Sequence, residues 1–309
     1  RDLILLATAD EEAGSAFGAR WVVEHRRHWL DGAEYALSEF GGIQHRPDWR
    51  APLGLIDVSE KTGLPLRLTA HGEPGHGSMP WPDTAPHRLI RALGRLLGAE
   101  RPLRVLPEVQ ELFAGLARVA PGEDARRFGD LAAALGEDDY RARFLANKHF
   151  AAMVRTTFAV NMLRASEKRN VIPPEAVADI DCRLLAGDEP DEITAWVRRA
   201  IDDPQVEVEV LRPPKRPNLS PPDTELYKAL ARALVARRPD VVVAPQILTG
   251  FTDNWTFREC GLTAYGWSPL HVGADGLGGV HGNDERVEVE DLRQGVRHYT
   301  EMLLDIAGR

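Results

Sequence analysis

Cysteine is almost missing from this chain: Cys182 and Cys260 are the two in 309 residues, and they form no C-x-x-C pair. That disfavours a cysteine-built zinc site. Both are expected to be ordinary buried or half-buried thiols of a reducing compartment. Long apolar runs are missing too. No stretch approaches the ~18 residues that a membrane-spanning helix needs, so no membrane span is expected. Positive charge is in deficit, with a formal net charge of -9. Nucleic acid and anionic membranes select clustered Lys and Arg, so no nucleic-acid partner is expected. Internal repeats and low-complexity tracts are also lacking.

What remains is a 43% hydrophobic, 28% charged chain, the composition of a globular protein. Its length suggests roughly two domains of ~150 residues each. At this size about 75% of the unfolded surface can be buried, so no covalent staples are needed. The chain starts at Arg1 directly on an apolar run. A natural domain rarely begins on a central strand, so a segment N-terminal to it is expected to be missing, with any localisation signal. A cytoplasmic location is the expectation.

That first run, residues 3–9, ends abruptly at Asp10, Glu11 and Glu12. A short continuous apolar run reads as a buried strand. Acids at its carboxyl end would sit where α/β sheets place ligand sites; alternatively they open a helix and answer its macrodipole. Residues 13–29 carry Phe17, Trp21, Val22 and Trp29 at helical spacing, residues 33–39 read as a strand ending in Glu39, and residues 53–58 as another. This strand–helix–strand order implies a parallel sheet.

The style then changes. Residues 64–70 alternate apolar and polar as a half-exposed strand does, and lead into a breaker-rich loop, His71 to Pro80. Asp83 could cap a helix through Leu89, Leu93 and Leu97. Short amphipathic helical patterns fill residues 99–150, and further strands are expected at 156–165, 176–185 and 206–211 with a helix at 188–201. This is the order of a small antiparallel sheet with helices on one face. A proline-rich run at 212–222 reads as a linker, after which the first style resumes to the end of the chain. The expected fold class is therefore α/β. The α/β domain is discontinuous, residues 1–61 and 218–309. It is interrupted by an inserted α+β domain at 62–217, which carries a helical insertion at about 99–150.

Several residues could carry chemistry. Glu12, Glu39 and His281 are candidate metal ligands, a donor set that suits zinc and less often cobalt or manganese. Glu11 beside Glu12 could take a proton from water, since a metal lowers the pKa of bound water from 15.7 to about 7. Otherwise the two are solvated acids. His76, flanked by glycines, could donate to an oxyanion or be a turn histidine. Val177, Asp179, Asp181 and Arg183 share one strand face. Arg183 is either part of a surface ion-pair row or a fork for a substrate carboxylate, with Asn170 as an amide partner.

Together these residues resemble the metallopeptidase family of aminoacylase, carboxypeptidase S, acetylornithine deacetylase and succinyl-diaminopimelate desuccinylase. The matches are Thr8-Ala9-Asp10-Glu11-Glu12, Ser38-Glu39-Phe40-Gly41-Gly42, Gly75-His76-Gly77-Ser78-Met79-Pro80, Arg169-Asn170-Val171-Ile172-Pro173, Asp181-Cys182-Arg183-Leu184-Leu185, Thr252-Asp253 and His281-Gly282-Asn283-Asp284-Glu285-Arg286-Val287. They occur in family order across nearly the whole chain. Glu39 lies 27 positions after Glu12 and is Glu rather than Asp, which is similar to the aminoacylase and carboxypeptidase S branch.

The resemblance implies a zinc-dependent hydrolase of amide bonds in N-acyl amino acids or C-terminal peptides. Two zinc ions per subunit are implied in the complete protein, cobalt or manganese being alternatives. Glu11 would be the general base, and Glu12, Glu39 and His281 metal ligands. His76 would be the lid histidine that serves the neighbouring subunit's site, and Asn170 and Arg183 contacts to the substrate's free carboxylate. The inserted domain would be a lid that carries a homodimer interface. The family's His-x-Asp motif and bridging aspartate have no match, since none of the ten histidines is followed by x-Asp. Both normally precede the strand on which this chain starts, so the chain alone is expected to be inactive. The rival expectation is a non-catalytic relative that binds or dimerises.

Overall fold

The structure, a computed structural model, describes residues 2–272 and 282–308. Its strands, in chain order, are β1 (Tyr35–Ser38), β2 (Gly42–Gln44), β3 (Leu53–Glu60), β4 (Thr62–His71), β5 (Gly75–His76), β6 (Thr157–Arg164), β7 (Val171–Ile172), β8 (Glu175–Leu184), β9 (Val206–Val210), β10 (Val242–Leu248), β11 (Thr263–Gly266) and β12 (His271–Val272). The chain divides into two compact units. One comprises Arg1–Glu60, Val105–Met153 and Asn218–Arg309, the other Lys61–Arg104 and Val154–Pro217.

The first unit is built on a mixed sheet ordered β1-β11-β3-β2-β12, with β10 also paired to β3. The β1–β11, β10–β3 and β12–β2 pairs are parallel, while β2 and β11 meet β3 antiparallel. The wholly parallel sheet expected from the strand–helix–strand order is thus corrected. Every residue of β3 is buried, as a central strand covered on both faces requires. Ile56, Val58, Tyr265 and Trp267 pack with Leu226, Leu230 and Leu234 of the helix Glu225–Arg237 and Met302 of the helix Val289–Ala307.

The helical segment belongs to this unit and not to the inserted one, a second correction. Its helix Pro107–Val119 lies on β10. A Cβ on Gly115 would come 2.9 Å from the Ala244 Cβ, so only glycine permits that approach. Phe113 holds the segment's own core together, with its ring 5.0–5.3 Å from those of Phe128, Phe144 and Phe150.

A third correction concerns the opening run. Residues 3–9 form no strand, and Leu3, Ile4 and Leu5 are exposed. A strand is held by a ladder of backbone hydrogen bonds, and none of the described strands pairs with this run. The expected helix at 13–29 is also broken: a turn comes first, then a helix at Ala19–His25 and a 3₁₀ turn at Arg27–Leu30.

The second unit follows its sequence pattern closely. The sheet order is β6-β8-β4-β9, all antiparallel. In β4 and β8 burial alternates residue by residue. Leu64, Leu66, Leu68, Ala178, Ile180 and Cys182 face the helices Ala85–Gly98 and Pro190–Ile201 through Leu89, Leu93, Leu96, Ile193 and Val197. Thr84, rather than Asp83, caps the first of these helices by accepting from the His87 N–H, and Asp83 instead pairs with Arg91 at 2.7 Å. Both cysteines are free thiols, Cys182 buried and Cys260 half-buried. No helix among the described residues is long and apolar enough to cross a membrane.

Candidate active site

The acids after the opening run sit in a tight turn. Asp10 and Ser15 both have positive φ, at 66° and 63°, a region that non-glycine residues rarely occupy. The turn is closed by Ser15 N–H donating to Asp10 O at 2.7 Å and Gly14 N–H to Glu11 O at 2.9 Å. The Asp10 carboxylate accepts from the Phe17 N–H at 2.9 Å. A Cβ on Gly18 would fall 1.8 Å from the Ala9 carbonyl oxygen, so glycine is obligatory there. The next helix begins only at Ala19 and has no acid in its first turn, so Glu11 and Glu12 do not serve as helix-starting charges.

Asp253 fastens this turn from outside, accepting from Thr8 Oγ1 at 3.1 Å and from the buried Ser15 hydroxyl. Asp253 is itself fixed by its neighbour. The Thr252 N–H donates to the buried Glu60 carboxylate, which also accepts from Thr252 Oγ1 at 3.3 Å and from Arg258 Nη1 at 2.8 Å. Arg258 Nε reaches the Ala264 carbonyl at 3.0 Å and Ser220 Oγ at 3.2 Å. Burial drives the Glu60 carboxyl up and Arg258 down, and their mutual attraction offsets only part of this. Glu60 ends β3, so the acid turn is tied to the central strand by a chain of buried polar contacts.

Glu39 follows β1 and leads into Phe40, Gly41 and Gly42, all at positive φ. The Gly41 N–H donates to Asp57 Oδ2 at 2.8 Å, and Asp57 Oδ1 accepts from Gln246 Nε2 at 2.8 Å. Burial pushes the Asp57 carboxyl up to about 7 against these two hydrogen bonds.

These connections converge on Glu11. Its carboxyl is raised from 4.5 to about 7, first by burial, then by the charges of Glu39, Glu12, Asp253 and Glu60 in that order. Like charges destabilise the ionised form of their neighbour, and a carboxyl poised near 7 suits a proton-transferring group. Glu11 is thus placed among the acids with which its motif matches, Glu12 and Glu39. His281 lies outside the described residues. Among the described residues, no three His, Cys, Asp or Glu side chains come together to hold a metal.

The second unit holds the remaining predicted residues. His76 lies on β5, which pairs with β7 so that His76 stands opposite Val171. The Gly77 N–H donates to the Asn170 carbonyl at 2.8 Å, and a Cβ on Gly77 would come 3.1 Å from Asn170 Cα. His76 and Asn170 are thereby brought together, both exposed. The Ser78 N–H donates to His76 Nδ1 at 3.2 Å. Nδ1 also lies 2.8 Å from the Ser78 hydroxyl, so both groups of Ser78 hold this side of the ring. Arg183 lies on β8 on the face opposite the core, and its Nε donates to the two Asp181 carboxylate oxygens at 2.9 and 3.2 Å. Arg67 and Asp179 form a two-pronged pair on the same face at 2.7 and 2.8 Å. The ion-pair row is real, and Arg183 is one of its members.

Sequence reasoning missed Asp57, Glu60, Gln246 and Arg258. A partial signal was present: Asp57 lies in, and Glu60 just after, the run 53–58 that reads as a strand, and a charge on a strand that proves buried must find partners.

Residues 58–209 match the model of the peptidase dimerisation domain, and over most of its length the chain is similar to proteins described as an acyl-amino acid synthase/hydrolase, a probable carboxypeptidase S-like protein and an aminoacylase. It is 29% identical over 267 residues to the mouse N-fatty-acyl-amino acid synthase/hydrolase PM20D1, covering 83% of this chain and 52% of that protein. It is 28% identical to probable carboxypeptidase S-like 2 of Dictyostelium discoideum, covering 83% and 49%. The chain spans about half the length of these curated relatives. Among solved structures, the M20 family metallo-carboxypeptidase from Sulfolobus solfataricus shares the fold with a TM-score of 0.59 at 16% identity, covering 95% of this chain and 68% of that one.

Proposed function

We propose that the protein hydrolyses the amide bond of N-acyl amino acids or C-terminal peptides, with zinc as its metal. The observation that carries this reading is Glu11, a carboxyl raised to about 7 in a turn fixed by buried contacts. Relatives described as an acyl-amino acid synthase/hydrolase and as a carboxypeptidase support the substrate class. As a carboxylate, Glu11 takes a proton from the attacking water. As the neutral acid it returns that proton to the leaving amine. Both states are populated near neutrality when the pKa is about 7.

Glu12 and Glu39 are the described residues that would hold zinc, and His281 is proposed as a third ligand. The bound metal would supply Lewis acidity toward the carbonyl. In the second unit, His76 is assigned as the oxyanion donor, its ring being oriented by Ser78 through Nδ1. Asn170 and Arg183 are assigned to the substrate carboxylate, for which a guanidinium fork is suited. Arg183 would share that role with its bond to Asp181. A homodimer formed through the second unit is proposed on the match to the dimerisation domain.

The test is Glu11→Gln in the full-length protein, assayed on N-acyl amino acids with zinc content measured in parallel. Turnover is expected to fall by at least the ~10²–10⁴ typical of a general base, with zinc retained. Activity within tenfold of wild type would sink the assignment. Two tightly bound zinc ions favour the enzyme, and none favours a non-catalytic relative.

A further inference from the structure

Asp57 is an acid where the fold needs no charge. It lies inside β3, 3% exposed, and its two hydrogen-bond donors are neutral: the Gly41 amide on Oδ2 and the Gln246 amide on Oδ1. Burying a carboxyl is costly unless its oxygens are satisfied in fixed geometry. Here both are, and each partner is held independently. Gln246 is the residue of β10 that stands in register with Asp57, just before the ladder slips between Gln246 and Ile247. Gly41 is the middle of three consecutive positive-φ residues, Phe40, Gly41 and Gly42.

The turn that Gly41 occupies is packed backbone against backbone. A Cβ on Gly41 would fall 2.6 Å from the Leu55 carbonyl and 2.8 Å from the Gly266 carbonyl, and a Cβ on Gly266 would fall 2.5 Å from the Glu39 carbonyl. Gly266 is also the residue of β11 that bridges to Asp57. The backbone of residues 39–42 is thus clamped between β3 and β11, with Asp57 supplying the acceptor for its central amide. A left-handed run of this kind persists only where its surroundings over-determine it.

We infer that Asp57 is a positioning residue that fixes the left-handed turn after Glu39, and so aims the Glu39 carboxylate, by bridging the Gly41 amide to Gln246. The consequence for the site rests on the reading of Glu39 as a metal ligand; the bridging itself does not. Asparagine would keep the bridge. Its Oδ1 accepts from Gly41, and its Nδ2 donates to the Gln246 carbonyl once that amide flips. Leucine has the size but neither acceptor, and serine is too short to reach both partners.

The test uses full-length protein carrying Asp57→Asn, Asp57→Leu or Asp57→Ser. Two quantities are read: amide exchange of the peptide covering residues 39–43 in metal-free protein, and zinc affinity by chelator competition. Asp57→Leu is expected to speed exchange of Gly41 at least tenfold while the helix Pro107–Val119 keeps its protection, and to weaken zinc at least tenfold. Asp57→Asn is expected to stay within threefold of wild type on both. If Asp57→Leu does not fold, Asp57→Ser carries the same expectation. Unchanged Gly41 exchange in the leucine or serine variant would overturn the inference, as would an asparagine variant as impaired as they are. Faster Gly41 exchange with unchanged zinc affinity upholds the bridge and overturns Glu39 as a ligand.

Discussion

The acids of the first unit and the polar residues of the second are held in opposite ways. Glu11 sits in a turn whose closing contacts lead inward, through Asp253, Thr252 and Glu60, to a buried arginine. His76 and Asn170 are exposed on a short two-strand loop, and Arg183 is half-exposed beside Asp181. The first arrangement changes the chemistry of its residues; the second mainly sets their direction. Burial together with a crowd of carboxylates moves a pKa, whereas an exposed ion pair is worth little. The proposed proton transfer therefore fits the first group, and the proposed recognition, which needs only correctly aimed donors, fits the second.

The contrast can be broken most forcefully at Arg258. Arg258→Met leaves Glu60 buried without its cation, and removing one partner of a buried pair costs about 3–5 kcal/mol. Denaturant unfolding should show a loss of that size; a loss below about 1 kcal/mol would show that the pair does not anchor the Thr252–Asp253 loop.

Next in size is the pH dependence of Asp57. Its carboxyl stands at about 7 in the folded protein against an ordinary 3.8. The folded state therefore binds this proton more tightly than the unfolded state. Its contribution to stability is full below about 4 and is lost as pH rises through about 7, a change of about 4 kcal/mol. Asp57→Asn cannot ionise, so its melting temperature should gain on wild type between pH 4 and pH 8. A difference that does not vary with pH would contradict the burial argument.

The smallest effect lies on the second unit's ion-pair face. Arg67→Ala should leave the denaturant midpoint close to that of the wild type, as expected for an exposed ion pair. Arg183→Ala should do the same to stability while raising KM and leaving kcat nearly unchanged, if Arg183 binds the substrate carboxylate. An unchanged KM would leave Arg183 as a member of the ion-pair row alone.

The same contrast explains what could be read from the sequence. The second unit was legible because β4 and β8 are solvated on one face, so Leu64, Leu66, Leu68 and Arg67, Thr69 alternate with period two. The acid motif was legible as residue types, Glu11 beside Glu12 with Glu39 following. The architecture around it was not. A continuous apolar run such as residues 3–9 looks the same whether or not a ladder partner exists, and here none of the described strands supplies one. Helical patterns at 105–153 carry no mark of which sheet they cover; the close approach of Gly115 to Ala244 decides it. Asp57 meets Gln246 through strand register and Glu60 meets Arg258 of the helix Asn254–Glu259 across 198 positions, separations that local pattern cannot span.

The claim at the centre is that burial, and after it the neighbouring carboxylates, hold Glu11 near neutrality. It is tested most directly by titrating the Glu11 carboxyl by NMR in metal-free full-length protein, beside Glu39→Gln. The account predicts a midpoint of about 7 in the wild type and a lower one once the Glu39 charge is removed. A midpoint near the ordinary 4.5, unmoved by Glu39→Gln, would contradict it.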